Sequence, residues 1–377
     1  MIAATDHEDL AVRAIGVSGT KALPAAAIYG ANASGKSNVL DALVFMVSAV
    51  LSSHQDWRPG APIDRRAFKL DSISRQRPTR LIVDFMLHGV RHEYGFSIDD
   101  QQVLEEWLYI FPKKRTRVLF ERDAQFGIRF GPSLGGLRQN IAKLTRSNSL
   151  YLSTAAANNH EQLSAIYDWF SHGIFAMRAG QILSDSYTFH EWKQHDQATL
   201  RELLRYADLG VLDLELEEQE GAPKVTFVHR GATEHARFTL EEESSGTLAW
   251  LRLIGPVASK IRDGGVLIID ELDAHLHPLL TAHLVSFFQR PEINTSCAQL
   301  LFNTHNTSLL APSAPGRLRR DQVWFTEKGD DGATRLLALS EYRVRDGLEN
   351  VEKRYLGGRY GAIPFLDDTA IDGLSGE

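Results

Sequence analysis

One short segment constrains this chain more than any other: residues 30–37 read GANASGKS and match the phosphate-loop pattern G-x-x-x-x-G-K-[ST]. An apolar run at residues 25–29 precedes it, and from Ser37 onward Leu40, Leu43 and Val47 follow helical spacing. A strand, a glycine-rich loop and a buried helix are the context in which this pattern cradles phosphate. The sequence therefore predicts an α/β fold with a P-loop NTPase core.

The residue types of this loop each suit an anion or a metal. Glycines at both ends let backbone N–H groups curl around phosphate oxygens, and the positive end of the following helix faces the same place. Lys36 is expected to reach the β- and γ-phosphates, and the Ser37 hydroxyl to hold Mg²⁺. The predicted nucleotide-contacting residues are Gly30, Ala31, Asn32, Ala33, Ser34, Gly35, Lys36, Ser37 and Asn38.

A second apolar strand, residues 266–269, ends in two carboxylates, Asp270 and Glu271. A carboxylate at the end of such a strand lies beside the Mg²⁺ of a P-loop nucleotide, which makes Asp270 the candidate metal-side residue. Glu271 is one residue further along and is the candidate general base for the attacking water. A surface turn after a buried strand also often carries acids, so the assignment depends on the phosphate loop.

Two histidine-containing segments accompany these strands. Asp273 is followed by His275 and His277, and this His-x-His pattern beside acids could alternatively indicate zinc or manganese. A further buried strand, residues 300–302, ends in Asn303, Thr304 and His305. His305 could donate a hydrogen bond to a γ-phosphate, or it could be a structural cap of the strand.

The rest of the chain divides by the period of its apolar residues. In residues 80–130, apolar and polar residues alternate in short runs separated by turns, which predicts an antiparallel meander. In residues 137–209 the apolar residues have mainly helical spacing. Residues 266–269, 300–302 and 323–325 could join the strand at 25–29 in one sheet. The first 20 residues show no clear strand pattern. The predicted divisions are 1–65 (first part of the ATPase core), 66–135 (β arm), 136–235 (mainly helical insert), 236–345 (second part of the core) and 346–377 (tail).

Composition excludes several classes of protein. Hydrophobic residues make up 43% of the 377 residues, a globular value, and the net charge of −7 provides no overall attraction to nucleic acid or acidic membrane. One cysteine, no long apolar run and an acidic start predict a cytoplasmic protein that neither spans a membrane nor is secreted. The basic run at residues 113–117, with aromatic neighbours, could contact nucleic acid or simply be a solvated turn.

Taken together, these segments and Ser244-Ser245-Gly246-Thr247 resemble the ABC/SMC-like AAA-family ATPases of prokaryotic abortive-infection and restriction-linked defence loci, including the RloA-like and OLD-like groups. The resemblance implies an ABC-type head that binds ATP and Mg²⁺ and forms a homodimer. In that dimer Ser244, Ser245 and Gly246 would act as a signature loop that contacts the γ-phosphate on the other protomer. The resemblance further implies that Asp273 is the D-loop acid and His305 the switch histidine.

The function implied is Mg²⁺-dependent ATP hydrolysis that drives a dimer switch in defence against phage or foreign DNA. A separate effector, a nuclease or toxin encoded nearby, would be the partner. The loop lacks the Leu-Ser-Gly-Gly-Gln form of transporter ATPases, which argues against transport. Two alternatives are a RecF-type DNA-repair ATPase and a nucleotide-binding scaffold that does not hydrolyse ATP.

Overall fold

The computed structural model describes residues 13–15, 20–112, 115–178, 185–195, 197–207, 210–217, 224–343 and 350–364. Its strands are β1 (Arg13–Ile15), β2 (Thr20–Ala22), β3 (Ala25–Gly30), β4 (Thr79–Leu87), β5 (Val90–Ile98), β6 (Val103–Phe111), β7 (Arg117–Asp123), β8 (Gly127–Phe130), β9 (Ile174–Met177), β10 (Val211–Glu217), β11 (Lys224–His229), β12 (Ala236–Phe238), β13 (Val266–Ile269), β14 (Gln299–Asn303), β15 (Val323–Lys328) and β16 (Thr334–Ala338). Its helices are α1 (Lys36–Ser52), α2 (Ser72–Gln76), α3 (Arg138–Leu144), α4 (Tyr151–Ala157), α5 (Glu161–Gly173), α6 (Ser186–Gln194), α7 (Gln197–Tyr206), α8 (Ser245–Asp263), α9 (Pro278–Gln289) and α10 (Val351–Leu356).

A six-stranded sheet forms the centre, in the order β16-β15-β3-β14-β13-β9. Strands β15, β3, β14, β13 and β9 run parallel, and β16 returns antiparallel beside β15. The four strands predicted to share a sheet, at 25–29, 266–269, 300–302 and 323–325, are therefore confirmed as neighbours. Strands from distant parts of the chain thus form one sheet, which is the arrangement that a P-loop core requires.

Both faces of this sheet are buried, and the side chains of each strand alternate between two cores. In β3, Ala25, Ala27 and Tyr29 belong to the core that α8 and α9 cover. Ile28 points into the other core, which holds residues of α1, α5 and the β4–β8 sheet. Parallel strands covered on both sides have near-continuous apolar sequences, and the run at 25–29 has that character.

The predicted meander is confirmed. Strands β4 to β8 pair antiparallel with their sequence neighbours throughout, in the order β4-β5-β6-β7-β8. A buried carboxylate ties this sheet to the helices: Glu106 of β6 accepts hydrogen bonds from the Tyr94 hydroxyl (3.0 Å) and from the backbone N–H groups of Tyr151 (2.6 Å) and Leu152 (3.0 Å). Arg122 lies 3.6 Å from it. Burial raises the pKa of Glu106, and the Arg122 charge opposes that shift.

Two features were not predicted from the sequence. Within residues 137–209, which were predicted to be mainly helical, β9 is a strand and forms the edge of the central sheet beside β13. Its four residues, Ile-Phe-Ala-Met, suit a buried strand or a helix turn equally well, and so short a run shows no period. The second concerns the first 20 residues, where β1 pairs antiparallel with β2, although each strand has only three residues.

The region at 210–238 carries a second small sheet, in which β10, β11 and β12 pair antiparallel. In β10, Leu214 faces the core while Glu215 pairs with Arg237. Residues 218–220, which follow β10, lie outside the described residues. Within the described parts of the chain, no helix has the length and apolar character needed to cross a bilayer.

Candidate nucleotide-binding site

The candidate site lies where β3, β13 and β14 end at one edge of the central sheet. The phosphate loop follows β3 and leads directly into α1, which begins at Lys36. Gly35 has φ +99°, a left-handed conformation that favours glycine. Because parallel strands deliver their following residues to the same edge, Ser37, Asp270 and Asn303 meet here.

Three side chains form the centre of the site. The Ser37 hydroxyl donates to Asp270 Oδ1 at 2.9 Å. The Asn303 amide donates to the same carboxylate oxygen and lies 3.4 Å from Ser37 Oγ. Asp270 is further fixed through its backbone, whose N–H donates to the carbonyl of Met177 in β9 at 2.9 Å. The predicted metal-side pair, Ser37 and Asp270, is thus brought together by the fold.

These residues suit Mg²⁺. The ion prefers oxygen ligands and usually binds through one or two protein oxygens together with phosphate and water. A hydroxyl and a carboxylate oxygen 2.9 Å apart at the start of α1 supply that kind of donor set. Ser37 and Asp270 would hold the ion, whose chemistry is to offset the charge of the β- and γ-phosphates.

Lys36 lies under its own loop. Its ammonium donates to the carbonyl oxygens of Gly30 (2.9 Å) and Ala31 (3.1 Å), and the residue is 8% exposed. Burial lowers the pKa of Lys36, and the Glu271 carboxylate is the strongest of the charges that oppose this shift.

Glu271 extends from the edge of the sheet in an unusual conformation. Its φ is +60°, which is uncommon for a residue other than glycine, and its side chain is exposed. Its backbone N–H donates to the Asn303 side-chain oxygen. Asn303 thus fixes both carboxylate residues, and sequence analysis did not single it out as a site residue. The sequence did mark Asn303, because it is a polar residue at the end of a buried strand.

Asp273 and His305 belong to neighbouring turns that bind each other. The Asp273 carboxylate accepts from the Thr304 hydroxyl at 2.6 Å and from the His305 backbone N–H at 3.2 Å. This leaves the His305 ring exposed at the edge of the sheet. Asp273 therefore orients the segment that carries His305, a connection that the sequence did not predict.

The predicted signature loop begins α8. The Ser244 hydroxyl caps that helix by accepting from the Thr247 N–H at 3.1 Å, while Ser245 is exposed. A Cβ atom on Gly246 would lie 3.4 Å from the carbonyl oxygen of His275. The signature-like loop therefore lies against the turn that follows Asp273. The resemblance assigned both this loop and Asp273 to a contact between subunits, and here they are neighbours within one chain.

Two alternative hypotheses find little support in the described residues. No group of three or more His, Cys, Asp or Glu side chains is placed to hold a metal among them, and His277 instead caps α9 by accepting from the Leu279 N–H. In the basic run, residues 113 and 114 lie outside the described part of the chain. The neighbouring Phe120 is fully buried against Tyr151, so it is not available to stack on a base.

The comparison with protein families decides the affiliation. Residues 25–311 match the family described as "AAA domain, putative AbiEii toxin, Type IV TA system", and this range is more than half of the chain. The chain belongs to this family. It is an AAA-domain protein of the abortive-infection type, with the P-loop fold that the sequence predicted. A comparison with curated proteins finds no match.

Solved structures with partial similarity are heads of SMC proteins. An Smc head bound to the C-winged helix domain of ScpA has 15% identity and a TM-score of 0.41, with 85% of this chain and 91% of that chain covered. The SMC head domain from Thermotoga maritima has 12% identity, coverages of 88% and 97%, and a TM-score of 0.39. A Pyrococcus furiosus Smc head with an extended coiled coil, bound to the C-terminal domain of ScpA, has 14% identity, coverages of 85% and 92%, and a TM-score of 0.36. All three TM-scores are below 0.5.

Proposed function

We propose that this AAA-domain protein hydrolyses ATP with Mg²⁺ at the edge of its central sheet. The observation that carries the proposal is the 2.9 Å hydrogen bond between Ser37 Oγ and Asp270 Oδ1. Two segments far apart in the sequence thereby place a hydroxyl and a carboxylate side by side at the start of a helix. Helix starts attract phosphate through their free N–H groups and the helix dipole.

In this proposal each residue has a defined task. Lys36 leaves the carbonyl oxygens of its own loop and binds the β- and γ-phosphates, and the ammonium offsets the charge that develops in the reaction. Glu271 orients a water molecule and accepts its proton as the water oxygen bonds to the γ-phosphorus. The bond from that phosphorus to the bridging oxygen breaks, which releases ADP and phosphate. The exposed Glu271 carboxylate faces solvent, from which such a water would come.

We further propose that two chains form the active unit. Ser245 is exposed at the start of α8, and His305 is exposed on the edge that carries the phosphate loop. Exposed polar groups at both places suit a head-to-tail pair in which Ser244, Ser245, Gly246 and Asp273 complete the nucleotide site of the partner. ATP would close this pair and hydrolysis would open it, so the dimer acts as a switch.

The biological role that fits a family of the abortive-infection type is defence against phage or foreign DNA in the cytoplasm. We propose that a separate nuclease or toxin carries out the damage, while this protein supplies the nucleotide-dependent signal.

A phosphate-release assay of the purified chain tests the core of the proposal. Release should require both ATP and Mg²⁺, stop on addition of EDTA, and fall to background in Asp270→Asn. ATP binding without phosphate release would instead support a non-hydrolysing scaffold. Tight binding of duplex DNA by the isolated protein, measured by anisotropy over a series of salt concentrations, would favour the RecF-type alternative.

A further inference from the structure

Two threonines of the β15–β16 hairpin form hydrogen bonds with the phosphate loop. Thr326 lies directly opposite Gly30 in the sheet and is fully buried. Its hydroxyl is 2.6 Å from Ser34 Oγ and 3.2 Å from the Tyr29 carbonyl oxygen, to which it donates. Thr334 of β16 donates to the Ser34 carbonyl oxygen at 2.9 Å. Ser34 is therefore bound through its side chain by one threonine and through its backbone by the other.

The same threonines fill the space beside both glycines of the loop. A Cβ atom on Gly30 would lie 2.2 Å from Thr326 Oγ1 and 2.5 Å from Ser34 Oγ. A Cβ atom on Gly35 would lie 2.2 Å from Thr334 Oγ1. Real Cβ contacts are not this short, because atoms repel steeply inside their van der Waals distance. Each glycine thus lets the loop lie directly against one threonine hydroxyl.

We propose that Thr326 and Thr334, together called the threonine clamp, are positioning residues that hold the phosphate loop in its nucleotide-binding shape before ATP arrives. The inference rests on the proposed function for its ligand but not for its geometry. A loop fixed in advance loses little conformational entropy on binding, so the clamp should increase nucleotide affinity. The clamp contacts the loop from the side of β15, through Ser34 and the Tyr29 carbonyl oxygen.

The substitution Thr326→Val keeps the shape of the side chain and removes the hydroxyl. Ser34 Oγ then loses a buried hydrogen-bond partner, and we expect the Kd for ATP with Mg²⁺ to rise about tenfold. Thr326→Ser retains the hydroxyl and should restore the parental Kd. Because the clamp acts on binding, KM should rise with kcat unchanged in Thr326→Val.

A matched control separates positioning from general loss of stability. Thr188 is also buried, donates its hydroxyl to the Leu251 carbonyl at 2.8 Å, and lies 2.5 Å from where a Cβ atom on Gly255 would be. Thr188→Val should lower the melting temperature and leave the Kd for ATP unchanged. If Thr326→Val behaves in the same way as Thr188→Val, the clamp has no positioning role and the inference is wrong.

Hydrogen exchange provides a readout that does not depend on nucleotide. Without ATP, the amides of residues 31–37 should exchange faster in Thr326→Val than in the parent, Thr326→Ser or Thr188→Val. Unchanged exchange in this segment would overturn the inference even if the parent hydrolyses ATP. If exchange is faster in Thr326→Val but the parent neither binds nor hydrolyses ATP, the clamp is supported and the proposed function is rejected. Thr334→Val, at a half-buried position on an edge strand, provides the same test if Thr326→Val does not fold.

Discussion

The Ser37 hydroxyl and the Asp270 carboxylate are joined by a 2.9 Å hydrogen bond across 233 residues of sequence. Neither residue is fully buried, and Asn303 lies against both. A pair of oxygens held in this way is prepared for a hard cation, because little has to move when the ion binds. This relationship leads to the first prediction.

Asp270→Asn should abolish Mg²⁺-dependent phosphate release, since it removes the charge that binds the ion but keeps the size of the side chain. ATP should still bind in EDTA, because Lys36 and the loop N–H groups remain. Calorimetric titration with and without Mg²⁺ measures the two effects separately. Asp168→Asn, at an exposed position of α5, is the control and should match the parent. Full Mg²⁺-dependent turnover by Asp270→Asn would remove this residue from the metal site.

Lys36→Ala should reduce ATP affinity severely, because the ammonium that lies beneath the loop is the cation expected to bind the β- and γ-phosphates. The melting temperature without ATP should change less than the affinity, since the hydrogen bonds that the Lys36 ammonium makes within the described structure go to two backbone carbonyl oxygens of its own loop and not to a side chain. Titration calorimetry and thermal unfolding should be run on the same sample. Parental affinity in Lys36→Ala would show that the phosphate loop is not the nucleotide site.

Glu271→Gln should lower hydrolysis by about a hundredfold or more while ATP still binds, as expected when a general base loses its charge. A single-turnover measurement with radiolabelled ATP separates this effect from slow product release. If Glu271→Gln lost ATP affinity as well, Glu271 would have a structural role instead. The left-handed conformation of Glu271 makes that outcome worth testing directly by thermal unfolding.

The dimer proposal predicts that two inactive variants restore activity when mixed. Lys36→Ala removes one phosphate loop and Ser245→Arg blocks one signature-like loop, so a mixed pair contains one intact site. Sedimentation with ATP should also show accumulation of the Glu271→Gln dimer, because ligand that binds only the pair stabilises it. The control mixes Lys36→Ala with the double variant Lys36→Ala/Ser245→Arg, which should stay inactive. Turnover by a strictly monomeric parent would reject the shared site.

The buried Glu106 predicts a defined pH dependence of stability. Because burial raises its pKa in the folded state, its contribution to stability is fully present below the unfolded pKa, about 4.5, and is lost as the pH rises through the folded pKa. Glu106→Gln lacks this titration. The parent should therefore lose free energy of unfolding relative to Glu106→Gln with rising pH, by at most about 1.4 kcal/mol per pH unit. Urea unfolding over pH 4–8 measures this, with the exposed Glu202→Gln of α7 as control. A difference independent of pH would contradict the prediction.

The phosphate loop and the strand that ends at Asp270 were readable from sequence because their signals are local. A glycine-rich loop between an apolar run and a helical pattern, or an apolar run that ends in acids, needs no partner to be recognised. Strand β9 was not predictable from the sequence, because it is defined by its pairing with β13 far away in the chain. The polar end of β14 marked Asn303 in the sequence, but its contacts with Asp270 and Glu271 appear only in the fold. The threonine clamp is the clearest case: only the pairing of β15 with β3 places Thr326 against Gly30.

The position of β3 in the central sheet has a consequence for synthesis of the protein. Both of its neighbours come from the last third of the chain: Ala25 pairs with Leu300 in β14, and Ala27 pairs with Val323 in β15. At a translation rate of about 5–20 residues per second, β3 waits on the order of 15–60 seconds for a partner strand. Throughout that time its apolar run is an unpaired strand, so the growing chain carries its nucleotide-binding segment in an aggregation-prone form until the ribosome has passed β15.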